Sequence, residues 1–212
     1  MEKELLLSRR ARRYNSLGER VDVEIDSLFP FMKSSSVANK RLNEERFLLV
    51  TSLNLATVPE SYLQEYPKAL AYLNQNRSKL LNRASKIYVN RPAFAQFGIG
   101  TYTFKPWKIA VSGLYKSVAF QLIGPREGKP VVFDDTVYFI SFDTQGEADF
   151  MYKLVQSETF QELLHSMIFL KDKRPVTVDL LSRINLKALA AELNAIQTYQ
   201  RLFEAHSALL FT

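Results

Sequence analysis

The sequence predicts an α+β fold, a central, mostly antiparallel twisted sheet flanked by helices. Three observations carry this expectation. Within residues 67–85, Leu70, Leu73, Leu80, Leu81 and Ala84 fall on one stripe at 100° per residue. Between residues 86 and 142 the apolar residues instead come in short β-like runs. After residue 143 the spacing returns to threes and fours.

Residues 1–42 read as an N-terminal arm. They hold Arg9-Arg10-Ala11-Arg12-Arg13, the acidic alternation Val21-Asp22-Val23-Glu24-Ile25-Asp26, then Pro30 and Ser34-Ser35-Ser36. Few of these residues build a core alone. Phe47-Leu48-Leu49-Val50-Thr51 reads as a buried strand, and residues 57–61, with Pro59, as a loop. A helix is expected over 67–85, with Pro67 suited to its first turn. Lys68, Lys79, Arg83 and Lys86 occupy its polar side. Arg77 lies inside the apolar stripe, so its stem is expected to pack while its head reaches water.

Strands are expected at 87–89, 93–97, 107–112, 118–123, 131–133 and 137–142. Residues 124–130 are read as the loop of a hairpin. Helices follow at 144–155 and 158–169. A last helix is expected over 186–210, with Leu186, Leu189, Leu193, Ile196 and Phe203 on one stripe packed on the core or on a partner. The predicted organisation is an arm (1–42), a core (43–185) and a C-terminal helix (186–212).

Composition narrows the chemistry. A chain of 212 residues with 47% hydrophobic and 12% aromatic content supports a folded domain. There is no cysteine, which excludes disulfides and thiolate metal sites. The apolar runs are too short to span a bilayer, and the N-terminus lacks a signal peptide's apolar region. A soluble, cytoplasmic protein is expected. Charge is unevenly spread. Residues 1–120 hold 19 basic and 10 acidic side chains, a net of +9, whereas residues 121–212 hold 9 and 12, a net of −3. From Tyr66 to Arg126 there are ten Lys/Arg, ten aromatics and no Asp or Glu. Such a window offers a polyanion both attraction and flat surfaces to stack on.

The motifs of common enzymes are missing or broken. His165 and His206 are the two histidines. His165 sits among Leu163, Leu164 and Ile168 and reads as a packed residue rather than a base. No Gly-x-Ser-x-Gly elbow and no phosphate-binding Gly-x-x-x-x-Gly-Lys-Ser/Thr loop occurs. Phe97-Gly98-Ile99-Gly100 lacks the following helix and ribose-binding acid of a cofactor loop, and reads as a tight turn needing positive φ. Asn90-Arg91-Pro92-Ala93-Phe94 carries an inserted arginine and a single proline, which breaks the Asn-Pro-Pro-aromatic pattern of amino-methyltransferases. Glu127-Gly128-Lys129 has the acid-x-Lys form of a nuclease but no upstream acid nearer than Glu65. Asp134-Asp135 reads as a turn or bulge. No catalytic or metal-ligating residue is assigned, and a binding surface remains.

The residues then point to a family. The run Ile87-Tyr88-Val89-Asn90-Arg91-Pro92-Ala93-Phe94, continuing through Phe97-Gly98-Ile99-Gly100-Thr101-Tyr102-Thr103-Phe104-Lys105-Pro106-Trp107-Lys108 to Val111-Ser112-Gly113-Leu114-Tyr115-Lys116, resembles the C-terminal target-recognition region of bacterial adenine-N6 DNA methyltransferases of restriction–modification type. Further similar stretches are Leu28-Phe29-Pro30-Phe31-Met32-Lys33-Ser34-Ser35-Ser36-Val37, Lys129-Pro130-Val131-Val132-Phe133-Asp134-Asp135-Thr136-Val137-Tyr138-Phe139, and Ile168-Phe169 leading to Lys173-Arg174-Pro175-Val176-Thr177. Together they span about residues 22–190. The family's S-adenosylmethionine turn and its Asn/Asp-Pro-Pro-aromatic motif have no counterpart here.

The resemblance implies a DNA target-recognition core, non-catalytic by itself, that binds duplex DNA for a catalytic domain or subunit using S-adenosylmethionine. Arg77, Lys79, Arg83 and Arg91 are the residues expected to contact phosphates or bases. Tyr102, Lys105, Trp107, Lys108, Ser112 and Lys116 are expected to form the groove-facing surface, with Lys33 and Ser34 near the hinge and Lys173 and Arg174 as a second patch. The alternative is a protein-interaction module docking on a separate catalytic or restriction subunit. A self-sufficient enzyme, such as a nuclease, is the third reading.

Overall fold

The computed structural model describes every residue except 1–5, 9–10, 44–45, 54–58, 116–117, 170–173 and 205–212. Its strands are β1 (Leu6–Ser8), β2 (Ala11–Asn15), β3 (Leu28–Met32), β4 (Arg46–Leu49), β5 (Trp107–Ser112), β6 (Gln121–Ile123), β7 (Val132–Phe133) and β8 (Val137–Phe142). The first helices are α1 (Ser34–Ala38), α2 (Pro59–Leu63), α3 (Pro67–Gln75) and α4 (Arg77–Leu81). The later ones are α5 (Gln145–Gln156), α6 (Glu158–Met167), α7 (Val178–Ser182), α8 (Leu186–Glu192) and α9 (Ile196–Tyr199). The α+β class is as expected, but the strands form two small sheets rather than one. The chain divides into two compact units.

Unit 1 comprises Met1–Lys33, Leu42–Pro106 and Pro125–Asp135. Its sheet has the order β2-β1-β4-β3-β7, with every pair antiparallel except β3 and β7. Leu28 faces Leu49 across the β3–β4 ladder, and Phe31 faces Val132 across β3–β7. The fully buried side chains here include Phe31, Leu49, Leu63, Leu73 and Phe94. Burying each contributes roughly 1.5–3 kcal/mol. The residues expected as an arm build much of this unit. They supply β1 to β3, and Val21, Val23, Leu28 and Phe31 are in its core.

Unit 2 comprises Ser34–Arg41, Trp107–Gly124 and Thr136–Thr212. Its antiparallel sheet has the order β6-β5-β8, with Ile109 opposite both Leu122 and Ile140. Met151, Leu154 and Val155 of α5, Phe160 and Leu164 of α6, and Leu189 of α8 form its core with Ile109 and Val111. The start of α5 is fixed by a capping box. Glu147 N–H donates to Thr144 Oγ1, and Thr144 N–H donates to the Glu147 carboxylate.

Several expected elements are corrected. The helix over 67–85 breaks at Asn76, whose φ of −102° and ψ of 9° end α3. Residues 86–88 form a 3₁₀ turn and residues 93–97 are irregular, not strands. Pro59 opens α2, a helix rather than a loop, consistent with proline's fit to a first helical turn. The 124–130 loop does turn tightly. Arg126 and Lys129 exchange backbone hydrogen bonds around Glu127 (φ 49°) and Gly128 (φ 75°). The flanking strands do not form a hairpin, because β6 pairs with β5 while β7 pairs with β3. The last helix is divided at Asn194 (φ 56°) into α8 and α9, and α9 runs into a π-turn over Gln200–Glu204. Its expected end at residue 210 lies outside the described residues. His165 is exposed rather than packed.

Candidate nucleic-acid interface

Unit 1 contains a long segment, residues 82–106, with no strand and only two 3₁₀ turns. Long irregular stretches of this kind need dedicated partners for their backbone groups. Arg83 supplies two and also bonds the end of α4. Its Nε donates to Leu80 O at 2.6 Å, Nη1 to Ala95 O at 2.9 Å and Nη2 to Ala93 O at 2.9 Å. The same guanidinium stacks 3.6 Å from the centroid of the Tyr88 ring. Gln96 ties the segment to β4, with Nε2 donating to Leu49 O and Oε1 accepting from Thr51 N–H. Thr51 Oγ1 donates to Phe94 O at 2.6 Å. Phe94 and Ile99 are buried anchors, and Phe104 meets Phe29 edge-on at 5.2 Å. The expected turn is present, with Gly98 at φ 74°.

The segment also carries exposed aromatic, aliphatic and basic side chains. Ile87, Val89, Phe97 and Tyr102 are 48%, 65%, 55% and 48% exposed. Lys86 and Arg91 are exposed alongside them in the chain, and Asn90 at φ 62° turns the backbone between them. Arg77, exposed on α4, lies 5.2 Å over the Phe94 ring and 3.8 Å from the Glu60 carboxylate. Lys79 pairs loosely with Glu19 at 3.7 Å. Exposed pairs of this geometry hold their partners weakly, so both cations remain able to exchange onto a phosphate. Lys105 is half-buried.

The other expected residues lie differently. Arg83 is committed to backbone carbonyls and Tyr88, so its role in the structure is to shape the segment. In unit 2, Lys108 is 1% exposed, and burial lowers its pKa to about 7. Ser34 and Ser112 are buried with their hydroxyls 2.5 Å apart, and Ser34 also donates to Thr136 O. The expected groove-facing position of Lys108 and Ser112, and the expected backbone contact of Ser34, are replaced by interior ones. The Trp107 ring lies against Gly124, where an added Cβ would meet it at 2.6 Å. Lys33 is half-buried and Arg174 is exposed. Lys116 and Lys173 lie outside the described residues.

The sequence reading places Ile87, Val89 and Phe97 in strands and Lys86 on the polar side of the preceding helix, so it does not single them out as surface residues. The signal was present in Asn90, Pro92 and Gly98, which interrupt any alternation. Among the described residues no group of three or more His, Asp or Glu could hold a metal ion. No helix among them is long and apolar enough to cross a membrane.

Over 177 residues, 83% of its length, the chain is 41% identical to the Type II methyltransferase M.NspV of Nostoc sp.. The chain is homologous to a Type II methyltransferase. It spans 37% of that relative's length. No family model matches. Among solved structures, a Type IIL restriction-modification enzyme, MmeI, in complex with DNA overlaps 81% of this chain and 22% of its own, at a TM-score of 0.48 and 10% identity.

Proposed function

We propose that this chain is the target-recognition part of an adenine-N6 DNA methyltransferase of restriction–modification type, and that it binds duplex DNA in a sequence-specific manner without catalysing methylation itself. The observation that carries this reading is the 41% identity to a Type II methyltransferase over a stretch covering 37% of that relative. The residues present contain no cofactor turn and no Asn/Asp-Pro-Pro-aromatic motif. Catalysis and S-adenosylmethionine binding then belong to a partner domain or subunit acting in the cytoplasm. The acid-free, basic and aromatic segment of unit 1 supplies the DNA contacts. Arg77, Lys79, Lys86 and Arg91 reach phosphates, while Ile87, Val89, Phe97 and Tyr102 meet the groove.

Fluorescence anisotropy of a labelled mixed-sequence duplex across a salt titration tests the electrostatic part. Several phosphate contacts predict a log–log slope of about −0.9 per contact. Binding that is absent or indifferent to salt would count against the reading. The double variant Lys86→Ala with Arg91→Ala is expected to weaken all duplexes and to flatten that slope by about 2.

A further inference from the structure

Unit 1 has a cleft of about 210 Å³. An apolar cavity of about 150 Å³ is enough for a benzene ring, so this volume suits one heteroaromatic ring system and little more. Its walls include Ile87, Tyr88, Phe97, Ile99, Phe133 and Asp135. Arg83 covers one face of Tyr88 and fixes that ring as part of the wall. Gln96 also lines the cleft, but both ends of its amide are already bonded to β4 and Thr51. No Lys or Arg is among the described residues that line it, which disfavours a phosphate. Asp135 is the only carboxylate among the described lining residues, is exposed, and makes no hydrogen bond or ion pair with another described residue, while Ser85, Tyr88 and Thr103 add hydroxyls to the lining. A largely apolar cleft with a free carboxylate at its wall fits a neutral ring carrying N–H donors.

We infer that this cleft is a binding site for a single nucleobase bearing an exocyclic amine, stacked against Phe97 and hydrogen-bonded to Asp135. An ionised carboxylate accepts only, so it pairs with the amines of adenine, cytosine or guanine. Thymine offers an N–H between two carbonyls that the carboxylate repels. The base comes either from DNA, in which case it must be unstacked, or from a free nucleoside. The DNA version rests on the function proposed above, because the cleft shares Ile87, Tyr88 and Phe97 with the basic segment.

Two arms separate these sources on the full chain. Saturation-transfer NMR with the four deoxynucleosides is expected to show signal for those bearing amines and at least fivefold less for thymidine. Asp135→Asn adds a donor and is expected to bring that ratio near one. Phe97→Ala is expected to abolish the signal. Both side chains are exposed, and a matching thermal melt confirms that each variant folds. Anisotropy then compares a fully paired duplex with one carrying an extrahelical amine-bearing base, for which about tenfold tighter binding is expected. Nucleoside binding without duplex binding supports the cleft as a nucleoside site and places the failure with the DNA reading. Salt-dependent duplex binding with no nucleoside signal and no preference for the extrahelical base overturns the cleft and leaves the DNA reading standing.

Discussion

Two cations illustrate how differently a basic residue can be used. Arg83 satisfies the carbonyls of Leu80, Ala93 and Ala95 at once. Its planar fork reaches all three, which a single ammonium does not. Arg83→Ala is expected to cost about 2–4 kcal/mol in chemical denaturation, by the usual worth of hydrogen bonds to charged groups, with little rescue by Arg83→Lys. Lys108 is held in the interior instead. Burial lowers its pKa from 10.5 to about 7, so the unfolded chain holds a proton that the native state has released between those values. Stability therefore rises with pH from about 7 towards 10, and below 7 the native state bears the full cost of the buried charge. The slope reaches at most about 1.4 kcal/mol per pH unit. Lys108→Met is expected to remove that rise in urea melts taken from pH 6 to 10. A rise that persists in the variant would assign it to another group.

Elements were legible where local chemistry decides them. Residues 144–155 read as a helix by their spacing in threes and fours, and the structure starts α5 there with a capping box of Thr144 and Glu147. Thr144→Ala is expected to lower stability by about 1 kcal/mol in thermal melts. The run 47–51 read as a buried strand, and β4 is fully buried from Phe47 to Leu49. Legibility failed where tertiary bonds override propensity. Residues 87–97 are rich in strand formers, yet their carbonyls pair with Arg83 and Thr51 rather than with a neighbouring strand. The assignment of β6 and β7 to different sheets is a long-range choice that no local pattern encodes. Arg77, Lys79, Arg91 and Tyr102, expected from charge and aromatic content, are exposed in the structure, and their contact with DNA belongs to the proposed function. Burial of Lys108 and Ser112 was not legible, since alternation along β5 does not apply to a strand buried on both faces.

At the scale of the whole molecule, the charge asymmetry acquires a structural meaning. The acid-free window from Tyr66 to Arg126 crosses both compact units, but its exposed cations and aromatics described above are held mainly by the irregular segment of unit 1. A basic surface held on a fixed scaffold fits the recognition module proposed above. On the proposed function, this surface distinguishes sequences. The most direct test is repeated selection of the purified chain on a pool of random duplexes, followed by sequencing of the bound fraction. The account predicts enrichment of one short consensus, with each mismatch weakening binding by about 1–3 kcal/mol. A bound pool indistinguishable from the input would contradict it.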